Sequence, residues 1–182
     1  EMLRQEGETE IHLVMSKSAN LTLKMENAVD PSYINALAHE VHSPGNIGAS
    51  ISSGSFSSAG MIIAPCSIKT MSNIAMGNTG DLISRAADVI LKERRRLVVA
   101  IRETPLHAGH LGNLIKLANL GSIIFPPVPA FYNRPKTLEE IVDQSCMRML
   151  DQLDINLETA PRWGEEGGVP AVGQKGAKVQ SV

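Results

Sequence analysis

Residues 97–105, LVVAIRETP, place five apolar residues directly before a cation, an anion and a proline. The run LVVAI, at 97–101, does not alternate with polar residues, which is typical of a strand that is covered on both faces. Pro105 cannot continue such a strand. The sequence therefore predicts a buried strand that ends at two charged side chains, Arg102 and Glu103.

Three other apolar runs, at 11–15, 61–64 and 122–125, have the same character. Segments with helical periodicity lie between and after them, at 18–26, 67–76, 81–93, 106–120 and 137–153. Alternation of strand and helix predicts an α/β fold with a parallel sheet. The opening EMLRQEG resembles the end of a helix closed by Gly7, so we expect that an upstream strand, turn and half-helix are absent from this sequence.

The composition favours one soluble domain and a small-molecule or protein partner. The chain has 182 residues, of which 43% are hydrophobic, and a formal net charge of -2. This length can fill one core, which we expect to span residues 1–163, and the Gly-rich residues 164–182 are expected to form a flexible or subunit-contacting tail. A near-neutral chain lacks the basic surface that binds nucleic acid or anionic lipid, and no apolar run is long enough to span a bilayer.

Polar side chains follow three of the predicted strands. Ser16 follows the first, the segment 67–70 (SIKT) follows the second, and Arg102 and Glu103 follow the third. Ligands of open parallel sheets bind beyond the carboxyl ends of the strands, so these groups are candidates for a binding site. The alternatives are that Ser67 only caps its helix and that Arg102 and Glu103 form a surface ion pair.

The helix predicted at 81–93 carries Arg85 and Lys92 seven residues apart, on one flank of its apolar face. Two cations on one stripe can converge on a phosphate. They can equally form a solvated flank in which Asp88 pairs with each, and the spacing does not decide between the two.

A stiff loop at 126–135, PPVPAFYNRP, contains four prolines together with Phe131 and Tyr132. It suits either the wall of a ligand site or a subunit contact. In the helix that follows, Arg148 lies at the margin of the apolar face and needs an anionic partner.

Cysteine and histidine residues give weaker signals. Cys66 directly follows an apolar strand without a histidine nearby in sequence, so we interpret it as a buried, inert thiol. Two cysteines in a chain of this length suit a reducing compartment. His107 and His110 lack a third His or Cys ligand, so we interpret them as local hydrogen-bonding groups and predict no metal site.

Six blocks together resemble the UbiX/Pad family of flavin prenyltransferases. They occur in the same order, from about Ile11 to Trp163, and read ISSGSF, PCSIKT, RAADVILKERR, RETPLHAGHL, PPVPAFYNRP and PRW. The resemblance implies a three-layer Rossmann-like (flavodoxin-like) sheet, usually in a dodecamer with sites between subunits. It differs at the start, where family members have a strand and a glycine-rich turn that this sequence lacks.

The resemblance also implies an activity. Family members transfer a dimethylallyl group from dimethylallyl phosphate to reduced FMN without a metal, and the prenylated FMN serves UbiD-type decarboxylases. Older descriptions called these proteins decarboxylases. The location would be cytoplasmic, or mitochondrial in a fungus.

Residue roles carried over by motif fall into two groups. The FMN contacts would be Ser16, Ser67, Ile68, Lys69, Thr70 and Arg102. The groups around the allylic phosphate would be Arg85, Lys92, Glu103, Tyr132 and Arg148, with Glu103 as the proton shuttle and Trp163 closing the site.

Two alternatives remain at this stage. An FMN-dependent cysteine decarboxylase of similar fold would carry an early catalytic histidine and a Pro-x-Met-Asn motif, and neither is evident. A noncatalytic FMN-binding accessory subunit would bind the flavin and leave it unmodified.

Overall fold

The computed structural model describes residues 1–26 and 29–157. The chain divides into two compact units, Glu1–Pro126 and Pro127–Val182. The elements of the first unit are α1 (Met2–Glu6), β1 (His12–Val14), α2 (Lys17–Glu26), α3 (Pro31–Leu37), β2 (Glu40–His42), β3 (Gly60–Cys66), α4 (Ile68–Ala75), α5 (Leu82–Lys92), β4 (Arg96–Ile101), α6 (Ala108–Asn119) and β5 (Ile123–Ile124). The described part of the second unit contains α7 (Leu138–Asp151). The prediction of one domain over 1–163 stays a prediction.

The strands pair in parallel, as the sequence predicted. β1 pairs with β2, while β4 lies between β3 and β5 in a second sheet. The segment 97–101 is buried at every position, which explains why it does not alternate between polar and apolar residues. The four strands expected from apolar runs are therefore confirmed, and the chain has the predicted α/β class.

Helix starts follow local capping signals. Asp81 and Ser84 form a reciprocal capping box at the start of α5. Ser67 caps α4, and Thr137 caps α7 by accepting from Glu140 N–H. At the other end of a helix, Gly7 closes α1 with a left-handed φ of 83°.

The core of the first unit forms between the β3–β4–β5 sheet and its helices. Leu82, Ala86, Ala87 and Ile90 on α5 are buried, as the periodicity predicted, and Ile83 is partly buried against the same core. Leu97 of β4 and Leu117 of α6 are fully buried. This packing fixes the end of β4. It therefore also fixes the position at which Arg102 and Glu103 leave the sheet.

Two elements were missed by the sequence analysis, α3 and β2. The signal for α3 was present, because Asp30 accepts a hydrogen bond from Ser32 N–H and Pro31 occupies the first helical turn. By contrast, β2 has three residues and begins with the exposed Glu40, so it lacks the apolar run that marks a strand.

In the residues that the structure describes, no helix has the length and apolar character needed to cross a bilayer.

Candidate functional site

The candidate site begins at the carboxyl edge of the β3–β4–β5 sheet. Cys66 of β3 pairs with Ile101 of β4, so the next residues, Ser67 and Arg102, leave the sheet at adjacent positions. Neighbouring strands lie about 4.8 Å apart. The structure therefore brings together two of the strand-end groups predicted from sequence.

The start of α4 offers hydrogen-bonding groups at this edge. The Ser67 hydroxyl accepts from Thr70 N–H at 3.2 Å and lies 3.1 Å from the Thr70 hydroxyl. Helix geometry leaves the N–H groups of the first turn, at Ile68 and Lys69, without partners inside the helix. Ser67 thus caps its helix, as one alternative held, and the remaining donors can also face an anion.

Arg102 and Glu103 are both exposed after β4. One carboxylate oxygen of Glu103 accepts from Thr104 N–H at 3.1 Å. Within residues 1–26 and 29–157, the Arg102 guanidinium takes part in no ion pair, so the expected alternative of an Arg102–Glu103 surface pair does not form. Both side chains can therefore reach a ligand beyond the strand end.

Ser16 lies at the corresponding end of the other sheet, two residues after β1. Its hydroxyl accepts from Ala19 N–H at 3.0 Å, in the first turn of α2. Like Ser67, Ser16 therefore lies between the end of a strand and the start of a helix.

The cations of α5 are paired with acidic side chains in the single chain. Arg85 contacts Asp88 at 3.1 Å and donates from Nε to the Ser52 carbonyl at 3.3 Å. Lys92 contacts its neighbour Glu93, and this hydrogen bond lowers the pKa of the Glu93 carboxyl. Asp88 therefore pairs with Arg85, whereas Lys92 pairs with Glu93, so the alternative in which Asp88 pairs with each cation is not met.

The ISSGSF segment, residues 51–56, lies against α5, a contact that the sequence analysis missed. Arg95 donates to the carbonyl oxygens of Phe56, at 2.5 Å, and Gly54, at 2.9 Å. A Cβ at Gly54 would collide with the side-chain ends of Lys92 and Glu93. These ends belong to flexible, partly exposed side chains that could move aside, so the contact between the two segments rests on the hydrogen bonds from Arg95.

Lys92 and Glu103 lie at opposite ends of β4 in one chain. Lys92 ends α5 four residues before β4 begins at Arg96, whereas Glu103 lies two residues after the end of β4 at Ile101. Six residues of strand span about 17 Å. The expectation that these two groups share one pocket is therefore not met within a single chain.

Tyr132 and Arg148 belong to the second unit. Tyr132 lies in a short 3-10 turn, Phe131–Asn133, and is 55% exposed. Arg148 contacts Asp151 at 2.5 Å, which supplies the anionic partner expected for it. Trp163 lies outside the described residues.

The two histidines of the LHAGH segment interact with each other and with α6. His107 Nδ1 accepts from the N–H groups of Gly109, at 3.1 Å, and His110, at 3.4 Å. The two rings stack with centroids 3.6 Å apart. The interpretation of these residues as local hydrogen-bonding groups is confirmed for His107, whose ring caps the helix.

Cys66 is 1% exposed, and burial raises the pKa of its thiol to about 12. Only the thiolate is a strong nucleophile. The geometry therefore agrees with a buried, inert thiol.

We expect Cys66 in the folded protein to resist a thiol reagent such as DTNB. Because burial raises the pKa of the Cys66 thiol from 9.0 to about 12, the fraction present as thiolate near pH 8 falls about 1000-fold. The measurement is the labelling rate at pH 8 in a Cys146→Ser background, with the unfolded variant as control. Rapid labelling of the folded protein would contradict this assignment.

Comparisons with known proteins identify the family. The model of the family described as Flavoprotein matches residues 1–150. The flavin prenyltransferase UbiX of Salmonella typhimurium is 52% identical over 86% of this chain and 83% of that protein.

Two solved structures are similar in fold and sequence. AnUbiX in complex with FMN and dimethylallyl pyrophosphate has 50% identity and a TM-score of 0.87, over 89% of this chain and 86% of that chain. A dodecameric FMN-dependent UbiX-like decarboxylase from Escherichia coli O157:H7 has 45% identity and a TM-score of 0.86, over 89% and 88%. The predicted flavodoxin-like fold is confirmed, and the chain belongs to the UbiX family of flavin prenyltransferases.

Proposed function

We propose that this protein transfers a dimethylallyl group from dimethylallyl phosphate to reduced FMN, giving prenylated FMN. The carbon–oxygen bond of the allylic ester breaks, inorganic phosphate leaves, and new bonds to the flavin close an added ring. The observation that carries the proposal is the adjacency of the Ser67–Thr70 turn and Arg102–Glu103 at one sheet edge, in a chain of this family.

The residues at the sheet edge fit FMN. The hydroxyl groups of Ser67 and Thr70, the N–H groups of Ile68 and Lys69 and the Arg102 guanidinium offer several donors beside one another. Donors of these kinds suit a phosphate or the oxygen and nitrogen atoms of a flavin ring. Ser16 would add a further contact from the end of β1. Reduced FMN supplies the nucleophilic ring atoms of the reaction.

Cations would stabilise the departing phosphate. Arg85, Lys92 and Arg148 can favour the charge that develops as the ester bond breaks more than they favour the intact ester. In the single chain, Arg85 and Lys92 each contact an acidic neighbour in a half-exposed pair, which is worth only about 0–1 kcal/mol, so exchanging the carboxylate for a phosphate costs little there. The partner of Arg148, Asp151, is 9% exposed, so separating that pair costs more.

Glu103 would move the proton. Its carboxyl group would donate to the phosphate as it leaves, and the carboxylate or the released phosphate would then accept the ring proton. Tyr132 would orient the phosphate, and Trp163 would close the site.

We further propose that the complete site forms between subunits. Lys92 and Glu103 flank opposite ends of β4 and cannot meet in one chain, whereas one subunit could present α5 to the carboxyl edge of another. A solved relative is dodecameric. A homo-oligomer, and specifically a dodecamer, is therefore the proposed active form.

Co-assembly of two inactive variants tests the shared site. Oligomers made only of Lys92→Ala subunits, or only of Glu103→Gln subunits, are expected to be inactive, because every site then lacks either the lysine or the carboxyl group. Random mixing leaves about a quarter of the shared sites with both native groups, so we expect about a quarter of wild-type activity. No recovery in verified mixed oligomers would place both groups in one subunit.

Mass spectrometry of the flavin tests the activity itself. The chain is incubated anaerobically with reduced FMN and dimethylallyl phosphate, and the flavin is expected to gain the mass of a five-carbon unit. A control without the allylic phosphate should return unmodified FMN. Unmodified flavin from an FMN-loaded oligomer would instead support the noncatalytic accessory subunit.

The product would be delivered to a UbiD-type decarboxylase. We expect the protein to act in the cytoplasm, or in the mitochondrion if its source is a fungus.

A further inference from the structure

The β1–β2 pair carries three side chains with metal-binding atoms on one face. His12 pairs with Glu40 in the parallel register, and His42 follows Glu40 by two residues. Side chains two residues apart on a strand point to the same face. His12, Glu40 and His42 therefore converge, although the first is 28 or more positions from the others.

The donor atoms are close enough for one small ion. His12 Nδ1 lies 2.9 Å from His42 Nε2 and 3.5 Å from a carboxylate oxygen of Glu40. One donor atom from each residue lies within 4.8 Å of the other two. Bonds of about 2.0–2.2 Å to a tetrahedral Zn²⁺ separate its ligand atoms by roughly 3.3–3.5 Å, so the His12–Glu40 pair already fits and the histidine pair would have to widen by about 0.5 Å. The Glu40 carboxylate also lies 3.4 Å from Nδ1 of His42, the ring nitrogen that does not face His12, so the His42–Glu40 pair would adjust as the ion binds.

A fourth side chain orients His12. Glu10 lies 3.2 Å from Nε2 of the His12 ring, the nitrogen that faces away from the cluster. If Nε2 carries the proton and donates it to Glu10, the lone pair of Nδ1 points at the other two residues. Metal-binding histidines commonly hold their second ring nitrogen in this way.

The cluster of His12, Glu40 and His42 is buried on one side and exposed to solvent on the other. His42 is 6% exposed, and the ring of Phe56 packs edge-on against His12 with centroids 5.0 Å apart. The Glu40 side chain is 53% exposed, which leaves a path from solvent. An ion could enter past Glu40 and be held against the buried imidazoles.

We propose that His12, Glu40 and His42 bind one divalent transition-metal ion of the zinc class, with water as a further ligand. Two imidazoles and one carboxylate favour such an ion over Mg²⁺ or Ca²⁺, which prefer oxygen ligands. The site is distinct from the residues assigned to prenyl transfer, which needs no metal. The ion would join β1 to β2.

Titration of the metal-free oligomer with Co²⁺, read by visible absorption, tests the site. We expect one Co²⁺ per chain, a spectrum typical of a four-coordinate ion and displacement by Zn²⁺. His12→Gln and His42→Gln should abolish these bands. Glu10→Gln, which keeps the ligands but loses the orienting carboxylate, should weaken binding about tenfold to a hundredfold.

The control is a His107→Gln, His110→Gln double variant, which removes another close histidine pair and should bind Co²⁺ normally. Glu40→Gln alters a half-exposed side chain, so it tests the site even if His42→Gln does not fold. Zn²⁺ should also raise the melting temperature of the wild type more than that of the Glu40 variant. Absence of four-coordinate bands, or bands unaffected by the His12, Glu40 and His42 variants, would overturn the proposal.

Discussion

Replacing Glu103 by glutamine is expected to lower the rate of flavin prenylation by about 10²- to 10⁴-fold, the usual contribution of a general acid–base group. The glutamine oxygen can still accept the Thr104 N–H, so the local backbone should persist. Glutamine cannot exchange a proton with the leaving phosphate. The measurement is the initial rate of prenylated-flavin formation by the assembled oligomer.

The matched control is Glu139→Gln, which removes the same charge from an exposed position in the first turn of α7. Its rate should remain near that of the wild type. FMN affinity should change little in the Glu103 variant, since the proposed flavin contacts are other residues. A Glu103 variant with normal turnover would remove this carboxyl from the mechanism and leave the family assignment intact.

Leu97→Ala is expected to destabilise the first unit by about 2–5 kcal/mol, the usual cost of truncating a buried leucine. Leu97 is 0% exposed at the start of the buried run of β4, so the lost methyl groups leave a cavity between the sheet and its helices. The measurement is the denaturant midpoint of unfolding at a fixed protein concentration.

Leu138→Ala makes the same chemical change at a position that is 81% exposed in the single chain. Its unfolding free energy should change by about 0.5 kcal/mol or less. Equal losses in the two variants would contradict the central position of β4 in the core.

Local sequence signals located the sheet edge before its geometry was known. The apolar run at 97–101 and the capping residue Ser67 predicted where β4 ends and where α4 begins. These predictions succeeded because strand burial and helix capping depend on residues that are close together in the chain. The assignment of roles to Arg85, Tyr132, Arg148 and Trp163 came from the family resemblance and stays a prediction.

The sequence contains no comparable local signal for contacts between segments that are far apart in the chain. The ISSGSF segment meets Arg95 from about 40 positions away, and neither segment specifies the other by its pattern. The same holds for His12 and His42, which are 30 positions apart and meet only when β1 pairs with β2. A metal site had been considered only at His107 and His110, which are close in sequence.

The amino-acid sequence by itself determined the strand-and-helix order apart from α3 and β2, the buried character of β4 and the chemistry placed at its end, because periodicity and capping act over a few residues. Only the tertiary structure decided the register of β1 against β2, the pairing of Arg85 and Lys92 with different carboxylates, and the separation of Lys92 from Glu103. Those features depend on how distant segments pack, and many sequences with the same local pattern could pack differently.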